Sequence, residues 1–117
     1  MGFFHEYCLN LNHRKMKIAW TTTETLEQAK TLAKQCVEAD LAACVQISSP
    51  ITSIYKWKGR VESSTEFRIT LKFLDSKLGA LKKKVLQNHP YQCPQWVVVQ
   101  ASEISEDYLA WAKGGDS

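Results

Sequence analysis

Residues 43–73 read ACVQISSPITSIYKWKGRVESSTEFRITLKF, and the fold turns on this stretch. Ala43 to Ile47 is a short apolar run stopped by Ser48-Ser49-Pro50, and a second β run, Ile51 to Trp57, follows at once. Pro50 cannot donate a ladder hydrogen bond, so the two runs read as one long strand bent or bulged at the proline. Lys58-Gly59 supplies a turn, after which Phe67, Ile69, Leu71 and Phe73 alternate with Arg68, Thr70 and Lys72. That alternation describes a strand with one buried face, and the whole stretch is a long β-hairpin.

Upstream of the hairpin, Met16 to Thr22 is rich in β-formers and reads as the first strand. The Thr-rich residues Thr21 to Thr25 then lead into Leu26, Ala29, Leu32, Ala33, Cys36, Val37 and Leu41, an apolar stripe at helical spacing with Thr25 and Gln28 in capping-box register. Downstream, Asp75 to Asn88 forms a second helix with Leu78, Leu81 and Val85 inward and Leu86 a further candidate; His89-Pro90 ends it. Trp96 to Val99 is the last core strand, and Glu106 to Ala112 a short amphipathic helix stopped by Gly114-Gly115. The order β-α-β-β-α-β plus a C-terminal helix is α+β, the ferredoxin-like split βαβ sandwich with both main helices on one sheet face. Residues 16–113 form the domain, 1–15 a loosely ordered extension and 114–117 a tail.

At 117 residues the chain holds one domain large enough to bury a core without metal or disulfides. A net charge of +3, dispersed apart from Lys82-Lys83-Lys84, argues against nucleic acid, because binders concentrate charge on one face. Cys8, Cys36, Cys44 and Cys93 form neither a CxxC pair nor a disulfide framework and read as reduced thiols. Met1 to Lys15 lacks the layout of a signal peptide, Glu6 breaks a myristoylation start, and no run of about 20 apolar residues could span a membrane. The expected location is the cytoplasm. No Ser/His/Asp order, phosphate-cradling glycine loop or HExxH pattern occurs, and only His89 with Cys93 offers a nucleophile-plus-base spacing, so no enzyme is expected.

Four segments, Leu41 to Ile47, Thr52 to Gly59, His89-Pro90-Tyr91 and Tyr108 to Trp111, resemble the signature segments of the CutA divalent-cation-tolerance family, in order and at matching spacing. The resemblance implies a ferredoxin-like protomer whose long strands reach into neighbours to build a homotrimer similar to the PII signalling proteins, and a role with copper or another divalent metal ion. This chain departs from the family at Gln92, at Cys93-Pro94-Gln95, at Lys72-Phe73 where Lys-Thr is usual, and at Ser105-Glu106-Asp107 where a glycine is usual.

His89 stands between a helix end and a Pro-Tyr turn, where an imidazole caps carbonyls or binds a metal. Cys93, in a turn, and Cys44, in an apolar strand where it also serves as a small buried hydrophobe, are the soft ligands that would suit copper. Tyr55, Trp57, Tyr91, Tyr108 and Trp111 are many amphipathic aromatics for one small core, and the matching family positions gather around a cleft between protomers. Glu66 and Lys72 are polar positions that could serve that cleft. Two functions follow: a trimeric metal-tolerance protein with His89, Cys93 and Cys44 at the ion, or a PII-like regulatory or scaffolding trimer whose clefts take a small anionic ligand or a partner peptide. The trimer also has a physical motive, since one helical layer leaves the opposite sheet face uncovered and the hairpin would present unpaired edges. Tyr55, Trp57, Trp96 and Trp111 are the expected contact residues.

Overall fold

A computed structural model describes residues 15–114, so nearly all of the expected extension and tail lie outside the described residues. Its strands are β1 (Met16–Thr23), β2 (Cys44–Ile47), β3 (Ile51–Trp57), β4 (Arg60–Leu74) and β5 (Val97–Gln100). Helix α1 (Leu26–Glu38) follows β1, α2 (Leu78–Asn88) follows β4 through a single 3-10 turn at Asp75–Lys77, and α3 (Glu106–Ala112) closes the chain. The antiparallel sheet runs β2-β4-β1-β5, with β3 continuing β2 along the same edge of β4. Counting β2 and β3 as one strand gives the ferredoxin-like order expected.

The break between β2 and β3 is a bulge. Ile47 pairs with Ile69 and Ile51 with Glu66, so residues 48–50 stand opposite only 67–68. One extra residue is absorbed there, at the residue type that cannot donate to the ladder. The Ser48 amide donates to the Arg68 carbonyl at 2.9 Å, and the Arg68 amide donates to Ser48 Oγ at 2.9 Å. A serine hydroxyl thus replaces a missing backbone acceptor. At the far end Trp57 pairs with Arg60 across a two-residue loop in which Lys58 and Gly59 have φ of 51° and 80°. Positive φ at both positions is the hairpin turn whose twist matches the strands, and Gly59 fills the second without a Cβ penalty.

The helix-facing side of the sheet is set by period 2. Ile69, Leu71 and Phe73 of β4 are fully buried, beside Ala19 of β1, and pack against Ala29, Leu32 and Cys36 of α1 and Leu81 and Val85 of α2. Each of the larger side chains among them, the Ile, Leu, Val and Phe residues, contributes about 1.5–3 kcal/mol by burial. Thr25 and Gln28 form the expected capping box: the Gln28 amide donates to Thr25 Oγ1 at 3.1 Å and the Thr25 amide to Gln28 Oε1 at 3.2 Å.

Three expectations need correction. Val37 and Leu86 are 45% and 37% exposed rather than inward. Each follows directly after a buried residue, Cys36 or Val85, and a 100° step per residue carries it off the buried stripe. β5 is an edge strand with only Val98 packed on the core, while Val97 and Val99 lie on the opposite, open face.

Helix α1 ends with the Leu41 amide on the Cys36 carbonyl (2.9 Å) and the Asp40 amide on the Val37 carbonyl (3.0 Å), which places Asp40 at φ 60°. That is a glycine position occupied by aspartate. Its ion pair with Lys77, at 3.7 Å, is almost fully exposed on the Asp40 side and adds little. Asp40→Gly is expected to stabilise the fold by about 1 kcal/mol. Thermal denaturation checks this, and a lower melting temperature would show that the aspartate is favoured there.

Candidate functional site

Two polar clusters occupy different stations along β4. The first gathers where β1 ends. His89, the residue that stops α2 with an extended backbone, puts Nε2 at 2.9 Å from the Thr22 carbonyl and 3.0 Å from Thr21 Oγ1. Its Nδ1 accepts from the Tyr91 amide at 3.0 Å. A carbonyl accepts only, and an amide donates only, so the ring is the neutral form with its proton on Nε2. Burial holds the imidazole below its ordinary pKa, against the opposite pull of the Thr22 carbonyl and the Glu66 carboxylate. Glu66 Oε2 accepts from Thr22 Oγ1 at 3.0 Å and from the Tyr91 hydroxyl at 2.8 Å. Burial, followed by that bond to Glu66, raises the Tyr91 pKa, so the phenol stays a donor. Tyr55 lies close enough to add to the same shift.

The second cluster lies on the open face, under α3. Cys44 and Ile18 flank Lys72 on the neighbouring strands. The Lys72 ammonium is 5.9 Å from the centre of the Tyr108 ring, which in turn is 5.4 Å from Trp111. Burial raises the Tyr108 pKa, with a smaller contribution from the Cys44 thiol beside it. Helix α3 is held in place by Ser105, whose Oγ accepts from the Tyr108 amide at 3.3 Å, and by the buried Leu109. Between α3 and the sheet runs a groove of about 330 Å³ lined by Met16, Ile18, Lys72, Ile104 and Tyr108 among others.

Of the expected cleft residues, Glu66, Tyr91 and Tyr55 thus belong to the first cluster, and Lys72, Tyr108 and Trp111 to the second. Glu66 and Lys72 share a sheet face but are six residues apart on one strand, roughly 20 Å. Trp57 belongs to neither; it caps the hairpin, 47% exposed, with the Lys58 ammonium 6.0 Å from its ring. Phe73, where the family usually has threonine, points into the core and leaves the Lys72 groove untouched.

The three metal candidates do not converge within one chain. Among the described residues no three His, Cys, Asp or Glu side chains come together to hold an ion. Both His89 nitrogens meet the chain's own backbone, Nε2 at the Thr22 carbonyl of β1 and Nδ1 at the Tyr91 amide, rather than the carbonyls at the end of α2. Cys44 lies beside Tyr108, and Cys93 is exposed in its turn. Sequence reasoning missed the anchors of the first cluster, Thr21 and Thr22: the threonine run read only as a strand leading into a helix. All three of Thr21, Thr22 and Thr23 are buried, and each hydroxyl has a partner.

The neutral histidine has a consequence for pH. Between its lowered folded pKa and the ordinary 6.5 the unfolded chain binds more protons at His89 than the folded chain does. Stability present above 6.5 is therefore lost as pH falls through that window. We expect the melting temperature to fall below pH 6.5 and the slope to flatten in His89→Asn, from a lower starting stability. An unchanged slope in the variant would remove His89 from the pH response.

A four-stranded, split-βαβ sheet layered on two helices, with a hairpin that overruns the sheet, makes this a ferredoxin-like protein of the α+β class. Within that class the chain belongs to the CutA1 divalent ion tolerance protein family, whose pattern it matches over residues 17–114. It is 36% identical over 97 residues to the divalent-cation tolerance protein CutA of Thermus thermophilus, a match covering 83% of this chain and 94% of that one. The chloroplastic protein CutA of Arabidopsis thaliana is 35% identical over 96 residues, 82% of this chain; the match spans only 53% of that longer protein. The solved CutA structure from Synechococcus elongatus superposes with a TM-score of 0.83 at 35% identity, covering 89% of this chain and 92% of that one. The family is named for divalent-ion tolerance and not for a catalysed reaction, and no helix among the described residues is long and apolar enough to cross a membrane.

Proposed function

We propose that this chain works as a homotrimer in the cell's tolerance of divalent metal ions, copper first among them, as a cytoplasmic binding protein without catalytic activity. The observation that carries the assembly is the overrun of the hairpin. β1 stops pairing at Phe67, so Arg60–Glu66 of β4 pair as a strand only with β3, and the outer edges of this two-stranded arm have no strand partner among the described residues. Ile54 and Val61, on one face of the arm, are 72% and 74% exposed; Tyr55 and Trp57 occupy the other. A lone hairpin is marginally stable in water and its open edges invite pairing. A closed threefold ring pairs them without leaving a filament end.

The metal role is supported by the family, and the thiols of this chain narrow how it would be met. Cys36, Cys44 and Cys93 are all unpaired, which suits a reducing compartment. Burial pushes the Cys36 thiol up to about 11, away from ligation; of the two remaining thiols Cys44 is half-buried and Cys93 is exposed, which makes Cys93 the more accessible soft donor. Titration calorimetry with copper under reducing conditions tests this. Cys93→Ser is expected to weaken binding at least tenfold and His89→Ala to leave the isotherm unchanged. A Cys93→Ser isotherm equal to wild type would sink the assignment.

A PII-like trimer that takes a small anionic ligand is the second reading, favoured by one observation: Lys72 has no carboxylate within ion-pair distance among the described residues, and it faces a groove.

A further inference from the structure

We propose that the cleft between the start of α1 and the end of α2 binds a short primary alkylammonium ion, its ammonium on Glu27 and its alkyl chain against Leu32 and Pro90. Topology makes the cleft. Helix α1 starts where β1 ends, and α2 finishes beside the same end of β1, where His89 meets the Thr22 carbonyl, so the two helices bring opposite ends together. The space between them is about 290 Å³ and lies on the helix side of the sheet. The proposed ring closes on the opposite sheet face and on the hairpin arm, and neither lines this cleft.

The lining selects a donor of single positive charge. Glu27 is its one charged group; no lysine, arginine or histidine lines the cleft, and no cation stands within ion-pair distance of Glu27 among the described residues. Gln28 is engaged in the capping box, and Asn88 Nδ2 donates to the Lys84 carbonyl at 2.8 Å. Thr31 Oγ1, Gln35 Oε1 and Asn88 Oδ1 remain as acceptors beside the Glu27 carboxylate. The helix ends agree with that sign: the last turn of α2 carries no basic side chain to offset its partial negative charge, whereas the capping box already closes the Thr25 and Gln28 amides at the start of α1. An ammonium brings three N–H donors and one charge, which suits one carboxylate among neutral acceptors. A divalent ion is a poorer match, since no three His, Cys, Asp or Glu side chains come together among the described residues. Leu32, 3% exposed, gives an apolar floor and Pro90 an apolar rim, and the volume falls just under the roughly 300–1,000 Å³ of drug-sized sites, so the occupant is short.

Amide chemical-shift titration of the full chain with butylammonium chloride, butanol and magnesium chloride at fixed ionic strength decides the matter. Butylammonium should move the Thr31, Gln35 and Asn88 amides saturably at millimolar concentration, with butanol about tenfold weaker or worse, in line with a charge-assisted contact. Glu27→Gln should weaken butylammonium by about the same factor. Thr31→Trp, at an exposed position beside the cleft, should abolish binding, and Glu38→Gln, at the far end of α1, should leave it unchanged. The comparison of butylammonium with butanol needs no variant, so it holds even if a substitution disturbs the fold. The proposal is overturned if butylammonium moves none of these amides, if butanol binds equally well, or if Glu27→Gln or Thr31→Trp binds like the wild type. Movement of the same amides by magnesium and not by butylammonium would overturn it too, by making the cleft a metal site.

Discussion

Truncating Tyr55 and Trp57 together to alanine is expected to dissociate the assembly into single chains. The two side chains project from the same face of β3, two residues apart, and are 44% and 47% exposed on one protomer. Large aromatic groups left this open on a strand that already lacks edge partners are the residues most enriched at the energetic centres of interfaces, where each truncation costs about 2 kcal/mol or more. A combined loss of about 4 kcal/mol per contact lowers association roughly a thousandfold. Sedimentation equilibrium reads the result as a fall in mass. The arm should also fray, since among the described residues no strand other than β3 pairs with Arg60–Glu66, and amide exchange there should accelerate while the core of β4 stays protected. A double variant that keeps the wild-type mass would place the subunit contacts elsewhere.

Phe73→Ala is expected to have the largest effect on stability of any single truncation. Phe73 is the largest fully buried side chain among the described residues and pairs across to Lys17 on β1, at the end of the sheet where α2 begins. Emptying such a site costs about 3–5 kcal/mol through lost transfer energy and the cavity left behind. Against a typical domain stability of about 5–15 kcal/mol, that is enough to unfold a large fraction of chains if the rest of the protein is marginal. Urea denaturation of Phe73→Ala beside Leu86→Ala, whose side chain is 37% exposed, gives the comparison. Equal midpoints for the two variants would contradict the assignment of the core.

Much of the fold was legible because its signals are local. The alternation from Phe67 to Phe73 identifies which face of β4 is buried, Thr25 and Gln28 mark the start of α1, and Pro50 marks the bulge. Misplacements came where a run of apolar residues hides its orientation. Val97-Val98-Val99 reads as a core strand, yet only Val98 packs inward, because nothing in those three residues says that the strand is at an edge. The same holds for Cys36-Val37 and Val85-Leu86, where two adjacent apolar residues compete for one stripe.

The candidate site was legible by residue and not by arrangement. Glu66, Tyr91 and His89 do come together, but the Thr21 and Thr22 groups that hold His89 lie 68 and 67 residues away in sequence. A helix-ending histidine gives the same local signal whether it meets a metal or a backbone carbonyl. Which of the two it meets depends on how β1 stands against β4, and that is fixed by register across the sheet. The separation of Lys72 from Glu66 has the same origin: both are outward positions on one strand, and only strand length keeps them apart.

The central claim is that the overrunning hairpin is completed by other copies of the chain. Light scattering coupled to size exclusion, run at dilute concentration, tests it most directly. The expected mass is about three times that of the 13.3 kDa chain, as a closed threefold ring requires. A well-folded monomer persisting at the same dilution would contradict it.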